Sequence, residues 1–233
     1  MASRLRTILA CLILGLTLAA CGPSEPDQRK AFIAFLQTEV LTRPGARVPN
    51  PDAEKLKTFG DYAAHYAVIT RFHERMNASV ATPMQQAMTN GVPRSIEEVV
   101  TRKADLAAVR AGFGTMRTAL DQAMAATEAE RAALKQPDDL RAVYASVYDK
   151  LVIQPVTAFR EIFPPTDEAF AAILAMAELV EGNRQAIKLN GSQLEVTNPA
   201  LRAKVQAALE GMASKQRAMT EAQQKMRRVL YGS

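Results

Sequence analysis

Two histidines are the residues of this chain best suited to acid–base or metal chemistry, since imidazole titrates near neutral pH and binds metals. His65 and His73 lie eight residues apart in a segment of helical periodicity, so about two turns separate them and they face somewhat different directions. The HExxH spacing of a helical zinc site is absent from the sequence. His73 follows Tyr66 by seven residues on one apolar stripe, which predicts a hydrogen-bonded, partly buried side chain rather than a ligand. His65 is predicted to lie at the surface.

Adjacent carboxylates could supply a general acid and a general base. Glu97-Glu98 and Asp138-Asp139 stand at the starts of helical patterns, where the helix dipole favours negative charge. Ser95 and Glu98 also have the spacing of a capping box, in which a hydroxyl and a carboxylate serve free N–H groups. We therefore predict structural roles for both pairs. The sequence contains no GxSxG elbow, SxxK pair or phosphate-binding glycine loop, and it predicts no catalytic residue, no metal site and no cofactor.

The N-terminus has the pattern of a secretory signal peptide. Arg4 and Arg6 precede an apolar run from Ile8 to Ala20, and small residues end the run. A transmembrane helix needs about 20 apolar residues, so this run is too short to span a membrane comfortably. We predict that residues 1–20 form a cleaved signal.

Cys21 directly follows this run, and its thiol is the most specific chemical signal in the sequence. Leu18-Ala19-Ala20-Cys21 resembles the lipobox of bacterial lipoproteins, in which the thiol takes a diacylglycerol and the amine freed by cleavage takes a third acyl chain. Two or more acyl chains, such as palmitate, anchor a protein stably, because each buried methylene contributes about 0.8 kcal/mol. An ordinary signal cut near Ala20, with a chance cysteine, is the alternative.

This assignment leaves no thiol for other chemistry. Cys11 would leave with the signal and Cys21 would carry lipid, and these are the two cysteines of the chain. Disulfides, redox pairs and cysteine metal sites are therefore excluded from the mature chain. Gly22, rather than aspartate, follows Cys21, which favours the outer membrane over the inner membrane. We expect a membrane-anchored protein of the cell envelope that faces the periplasm.

Charge is mild overall but uneven along the chain. The sequence has 29 basic and 24 acidic residues, and two of the basic ones leave with the signal, so the excess is too small to indicate nucleic acid. The stretch 198–233 contains seven basic and two acidic residues. Lys225, Arg227 and Arg228 lie near its end without an acid nearby, which predicts contact with an anionic membrane surface or an acidic envelope protein. A solvated helix face, with bases favoured near a helix C-terminus, is the alternative.

Strong helix formers dominate the mature region and predict an all-α fold. We expect a kinked long-helix bundle of about five or six helices, with a small β-hairpin near residue 190. Residues 21–26 would form a lipidated tether and residues 27–233 a single helical domain. Prolines are expected to end or bend helices at Pro83 and Pro155 and to break the pattern at Pro164-Pro165. The expected N-caps are Asp27, Asp52 and Asn198.

One stretch, AIKLNGSQLEV, departs from helical periodicity. Its apolar residues alternate with polar ones, as in a half-buried strand. Asn190-Gly191 can hold the positive φ angles of a tight two-residue turn, which would set Ile187 opposite Leu194 and give one apolar face. An isolated hairpin is only marginally stable, so this one must lie against helices.

Three segments resemble one known family. DQRKAFIAFLQ after the tether, ALKQPDDL at the start of a long helical segment, and the NG hairpin before the last helix are similar to the YiaF-like family of bacterial lipoproteins, whose domain has no assigned function. The likeness spans most of the mature chain. It implies an exported, lipid-anchored, mostly helical domain, and it brings no catalytic or ligand residues with it.

These patterns together predict a lipid-anchored envelope protein that works without catalysis, as an interaction or structural module. Its partners would be the membrane, through lipidated Cys21, and an envelope protein. The alternative is a carrier or sensor that binds an apolar ligand between helices.

Overall fold

A computed structural model describes residues 23–91, 93–190 and 193–232. Within these ranges the chain forms helices and one two-stranded hairpin, which confirms the predicted all-α class. Five long helical runs and two short helices are present there, and three of the runs contain a π-helical segment. The elements in chain order are α1 (Glu25–Phe35), a π segment (Leu36–Leu41), α2 (Ala53–Phe59), a 3-10 turn (Gly60–Tyr62), α3 (Ala63–Met76), a π segment (Asn77–Ala81), α4 (Thr82–Gly91), α5 (Ile96–Thr101), α6 (Lys103–Ala132), α7 (Asp138–Tyr148), a π segment (Asp149–Ile153), α8 (Gln154–Glu181), β1 (Ile187–Asn190), β2 (Gln193–Val196) and α9 (Pro199–Tyr231). None of the described helices combines the length and the apolar character needed to cross a membrane.

The first helix begins at Glu25, inside the segment predicted as a tether. Ser24 caps it, and the Ser24 hydroxyl accepts a hydrogen bond from the backbone N–H of Asp27 at 3.4 Å. The prediction of Asp27 as the N-cap is wrong because Pro26 suits the first turn, where its missing N–H costs nothing. Asp27 instead lies within that turn, where its carboxylate favours the helix dipole. The other predicted caps, Asp52, Ser95 and Asn198, are confirmed.

Three of the long runs lie side by side through the bundle. The first is α3 with α4, the second is α6, and the third is α7 with α8. The second runs antiparallel to the third, since ion pairs join the start of α6 to the end of α8. These pairs are Lys103–Glu181 (2.7 Å), Arg110–Asp167 (2.8 Å) and Asp121–Arg160 (2.8 Å).

The remaining side of the bundle is shared by α1 and α9, and the loop after the π segment of α1 meets the end of α9. α1 lies parallel to α7, because Arg29 pairs with Asp139 near their starts and Lys150 contacts Val40 near their ends. α9 runs antiparallel to α8, as two further ion pairs show. They are Lys215–Glu168 (2.6 Å) and Lys225–Glu161 (2.5 Å).

The helical runs continue through Pro83 and Pro155, so neither proline ends a helix. A π-helical segment precedes each proline, with one residue between, and the helix resumes at once. A proline ring clashes with the carbonyl four residues earlier in a regular helix, and the wider π turn relieves that clash. The two prolines therefore account for two of the three π segments.

The predicted break at Pro164-Pro165 is wrong, because α8 continues through both prolines. The carbonyls that lose their helical donors belong to Arg160 and Glu161, both of which are exposed, so water can serve these groups. A proline pair on the solvent side of a helix is thus tolerated where the same pair on the buried side would not be.

The stripe of apolar residues on α9 faces α8, as its seven-residue spacing predicts. Val205 and Met219 are buried, while Met212 and Met226 are partly buried against the core. The methionines of α9 therefore fill core positions.

The hairpin of β1 and β2 packs its four apolar residues against the helices, which confirms the predicted face. The predicted pairing of Ile187 with Leu194 is wrong, because Ile187 pairs with Val196. The register differs by two residues, and a shift of two keeps every side chain on its side of the sheet. Asn190 pairs with the first residue of β2 instead of entering the turn. Residues 191 and 192 lie outside the described ranges.

Candidate functional site

The predicted lipobox lies outside the described residues, so the roles of Leu18, Ala19, Ala20 and Cys21 stay predictions. The described chain begins at Pro23, whose carbonyl accepts a hydrogen bond from Gln28 Nε2 at 2.8 Å. Because α1 begins at Glu25, a lipid on Cys21 would be held within four residues of the folded domain.

The three basic residues singled out near the C-terminus do not share one environment. Lys225 Nζ lies 2.5 Å from a carboxylate oxygen of Glu161. The expectation that no acid lies near Lys225 is wrong, because α8 brings Glu161 from a distant part of the sequence. Both partners are largely exposed, so their ion pair contributes at most about 1 kcal/mol. Arg227 and Arg228 are exposed and form no ion pair with any described residue.

The loop that follows α1 and its π segment meets the C-terminal end of α9 at a contact that we call the C-terminal junction, formed by residues 43–46 and 228–232. The backbone N–H of Ala46 donates to the carbonyl oxygens of both Val229 and Leu230, with nitrogen–oxygen distances of 3.2 Å. A helix leaves its last carbonyls without donors, so this N–H serves acceptors that α9 cannot satisfy itself. The junction therefore fixes the end of α9 to the loop after α1.

Two glycines make this close approach feasible. Gly45 and Gly232 have φ angles of 66° and 75°, in the region that favours glycine. A Cβ on Gly45 would lie 2.6 Å from the Leu230 carbonyl oxygen, and one on Gly232 would lie 2.7 Å from the Gly45 nitrogen. The backbones thus touch at a distance that excludes any side chain.

Lys150 compensates the negative end of the first helical run, which α1 and its π segment form. Each helix C-terminus carries roughly half a negative charge. Lys150 Nζ donates to the carbonyls of Val40 and Leu41, both at 3.0 Å, and also to that of Arg43. Burial lowers the pKa of Lys150. The positive charge of Lys150 therefore has a structural role.

Three more cations surround the same contact, and we call Arg47, Arg227 and Arg228 the junction arginines. Arg47 follows Ala46 directly and lines a cavity of about 200 Å³ together with Leu230. The junction arginines are exposed and have no ion pair among the described residues. Their positive charges interact favourably with the negative ends of the nearby helix dipoles. The same charges are unpaired and face solvent.

His73 lines the same cavity and has a structural hydrogen bond. Its Nε2 lies 2.6 Å from the Leu151 carbonyl oxygen, so Nε2 must bear the proton that is donated. Pro155, four residues after Leu151, cannot donate the usual helical hydrogen bond to that carbonyl. Burial lowers the pKa of His73, against a smaller raising effect of the hydrogen bond. The prediction of a hydrogen-bonded, partly buried histidine is confirmed.

His65 is buried, with 8% of its surface exposed, so the prediction of a surface position is wrong. The rings of Phe32, Tyr62 and Tyr144 pack edge-on against it, and its Nδ1 accepts a hydrogen bond from Gln136 Nε2 at 3.3 Å. Burial lowers its pKa. Tyr62 lies three residues before His65 in the same helical run, whereas Phe32 and Tyr144 come from α1 and α7, so the periodicity of its own helix could not reveal those two rings.

The adjacent carboxylates serve helix starts, as predicted. Glu98 accepts a hydrogen bond from the backbone N–H of Arg94 at 3.0 Å, and Asp139 accepts one from its neighbour Leu140 at 2.9 Å. Over the described ranges, no group of three or more histidine, cysteine, aspartate or glutamate residues is arranged to hold a metal ion.

An open apolar groove of about 480 Å³ lies between the start of α5, α8 and α9. We call it the α8–α9 groove. Arg94 and Gln216 are polar residues in its lining. Leu209, on its wall, is one of the two large apolar side chains that are exposed among the described residues. The groove has the size and apolar lining of a small-molecule site. Its main apolar lining residues are Ile96, Val99, Ala169, Ile173, Leu209 and Met212.

Comparison with known proteins gives a family and no described ligand. The sequence pattern of the family described as "Protein of unknown function (DUF3053)" matches residues 8–227. The chain is 28% identical over 195 residues to the "Uncharacterized protein YiaF" of Escherichia coli and to that of Shigella flexneri, with 82% of each chain covered. No solved structure is similar enough to match. The resemblance inferred from the three sequence segments is thereby confirmed, and the chain belongs to the DUF3053 family.

Proposed function

We propose that this chain is a lipoprotein of the outer membrane, anchored through Cys21, whose helical domain serves as a non-enzymatic interaction module on the periplasmic face. The observation that carries the proposal is the lipobox pattern at residues 18–21, placed four residues before the first folded turn at Glu25. So short a connection holds the domain against the headgroup layer instead of letting it range through the periplasm.

The junction arginines supply a second contact with the same surface. α1 and its π segment span Glu25–Leu41, which at 1.5 Å per residue separates the anchored end from the C-terminal junction by about 25 Å. A domain that lies with α1 along the membrane would touch it with the lipid at one end and with Arg47, Arg227 and Arg228 at the other. The contacts of both histidines and of the adjacent carboxylates are structural, which supports a role without catalysis.

Binding to vesicles tests the second contact apart from the anchor. The protein is the mature chain from residue 21 with Cys21→Ser, which keeps every helix and strand of the described structure. We expect binding to phosphatidylglycerol vesicles that weakens as salt rises, and little binding to phosphatidylcholine vesicles. Replacing the junction arginines with glutamine should weaken binding about 100-fold, since each cation near an anionic surface contributes about 1 kcal/mol.

A charge-matched variant serves as the control. Lys188, Lys204 and Arg217 are exposed and have no ion pair among the described residues, and they lie away from both α1 and the C-terminal junction. Their replacement with glutamine should leave most of the binding intact. Equal losses in the two triple variants, or no binding to anionic vesicles at low salt, would contradict a membrane role for the junction arginines.

A further inference from the structure

The α8–α9 groove combines an apolar trough with an unpaired cation. Its walls are mostly aliphatic side chains from α5, α8 and α9, and Arg94 lines it next to the α5 cap. Within the described residues the Arg94 guanidinium has no ion pair, and only its backbone N–H is engaged, by Glu98. A guanidinium beside an apolar trough favours a ligand with an apolar body and an anionic head.

Size distinguishes a small ligand from a protein partner. A stable protein interface buries about 800 Å² on each side and needs exposed apolar anchors. The described surface offers two large exposed apolar residues, Leu209 in this groove and Tyr231 at the distant end of α9. The groove volume of about 480 Å³ instead falls within the range of small-molecule sites.

The lipid anchor of the chain itself is a poor occupant. Arg29 and Asp139 mark the anchored end, and Ala169 in the groove lies 30 residues further along the α7–α8 run, or about 45 Å. An acyl chain spans half of a hydrocarbon core of about 30 Å, and each residue between Cys21 and Glu25 adds about 3.5 Å. The anchor therefore falls short of the groove.

We infer that the α8–α9 groove binds a long-chain carboxylate, with the hydrocarbon chain along α8 and α9 and the carboxylate on Arg94. Gln216, also in the lining, has an amide side chain that is free to donate a second hydrogen bond to the head. This binding site is independent of the membrane contact at the C-terminal junction, so either can fail without the other.

Calorimetric titration with laurate, below the concentration at which it forms micelles, tests the inference on the mature Cys21→Ser chain. We expect one laurate to bind per chain, and dodecyltrimethylammonium, with the same chain and a cationic head, to bind more weakly. Arg94→Gln should weaken laurate binding about three- to tenfold and leave the cationic detergent unaffected. Arg228→Gln, at the C-terminal junction, is the charge-matched control and should change neither.

A second pair of variants tests the trough itself. Ala213 is exposed on the wall of the groove, so Ala213→Phe should reduce binding of both amphiphiles without disturbing the core. Ala207 is equally exposed on α9 but lies outside the lining, so Ala207→Phe should have no effect. Failure of laurate to bind, or equal binding by the Ala213→Phe and Ala207→Phe proteins, would overturn the inference. Unchanged laurate affinity in Arg94→Gln would overturn the assignment of the head.

Discussion

Replacing His73 with leucine should destabilise the bundle and change its response to pH. His73 Nε2 donates to the Leu151 carbonyl at 2.6 Å, and Pro155 cannot supply the usual helical donor to that carbonyl. Leucine removes the N–H while keeping an apolar side chain of similar reach. The buried acceptor then loses its partner, which costs about 1–3 kcal/mol.

The pH effect follows from the lowered pKa of His73. The folded state disfavours the imidazolium, so below the ordinary pKa of 6.5 the unfolded chain binds more protons than the folded chain. The contribution of neutral His73 to the free energy of unfolding is therefore fully present above pH 6.5, and it falls as the pH drops toward the lowered pKa of the folded state. The loss is at most about 1.4 kcal/mol per pH unit for this one group. His65 has a lowered pKa as well and adds a similar effect.

Urea unfolding at pH 8.0, 6.5 and 5.5 measures both effects. At pH 8.0 the His73→Leu protein should have a lower free energy of unfolding than the parent. His73→Gln retains an N–H donor and should recover part of the stability that His73→Leu loses. Both variants should lose less stability than the parent between pH 6.5 and 5.5. A parent-like stability of His73→Leu at pH 8.0 would refute the hydrogen-bond argument, and an unchanged pH dependence in both variants would refute the pKa argument.

Two further predictions concern stability. Gly45→Ala should cost at least about 2 kcal/mol, because it combines a positive φ with a Cβ 2.6 Å from a backbone oxygen. By contrast Gly114→Ala, in mid-helix with nothing within 4 Å of the new Cβ, should stabilise the protein by about 0.5–1 kcal/mol. If the urea midpoints of the two variants shift in the same direction, the close backbone contact at the C-terminal junction is contradicted. Hydrogen bonds from Arg75 and Arg71 hold the pKa of Glu130 below its ordinary value of 4.5. The ionised carboxylate therefore stabilises the fold above pH 4.5, and this contribution is lost as the pH falls through the lowered pKa of the folded state. Glu130→Gln should therefore reduce the drop in urea midpoint between pH 5 and pH 3, and an equal drop in parent and variant would exclude this contribution.

Local signals in the sequence predicted the elements that depend on local chemistry. Side-chain caps at Asp52, Ser95 and Asn198 lie where the pattern of hydroxyl, carboxylate and amide residues placed them. The apolar stripe of α9 and the alternating face of the hairpin are likewise local patterns, and both face the core. The break expected at residues 164–165 is wrong because local propensity is overridden where the lost hydrogen bonds face solvent.

The errors at the candidate sites have one cause, which is packing between distant segments. Phe32 and Tyr144 from two other helices help to cover His65, and Lys225 meets Glu161 across the α8–α9 contact. The C-terminal junction leaves no periodic signal in either of the helices that it joins, and Lys150 reaches the carbonyls of residues 40–43 from a distant part of the sequence. The α8–α9 groove is likewise assembled from three segments, and the capping box at Ser95 is a local signal that marks only the start of α5.

The most direct test of the central claim is fatty-acid labelling of the full-length protein in bacteria, followed by separation of inner and outer membranes by density. We expect the parent protein to be labelled and to sediment with the outer membrane, and the Cys21→Ala protein to be unlabelled and either soluble or still carrying its signal. Equal labelling of the two proteins, or an unlabelled parent, would contradict the claim that this chain is a lipoprotein anchored through Cys21.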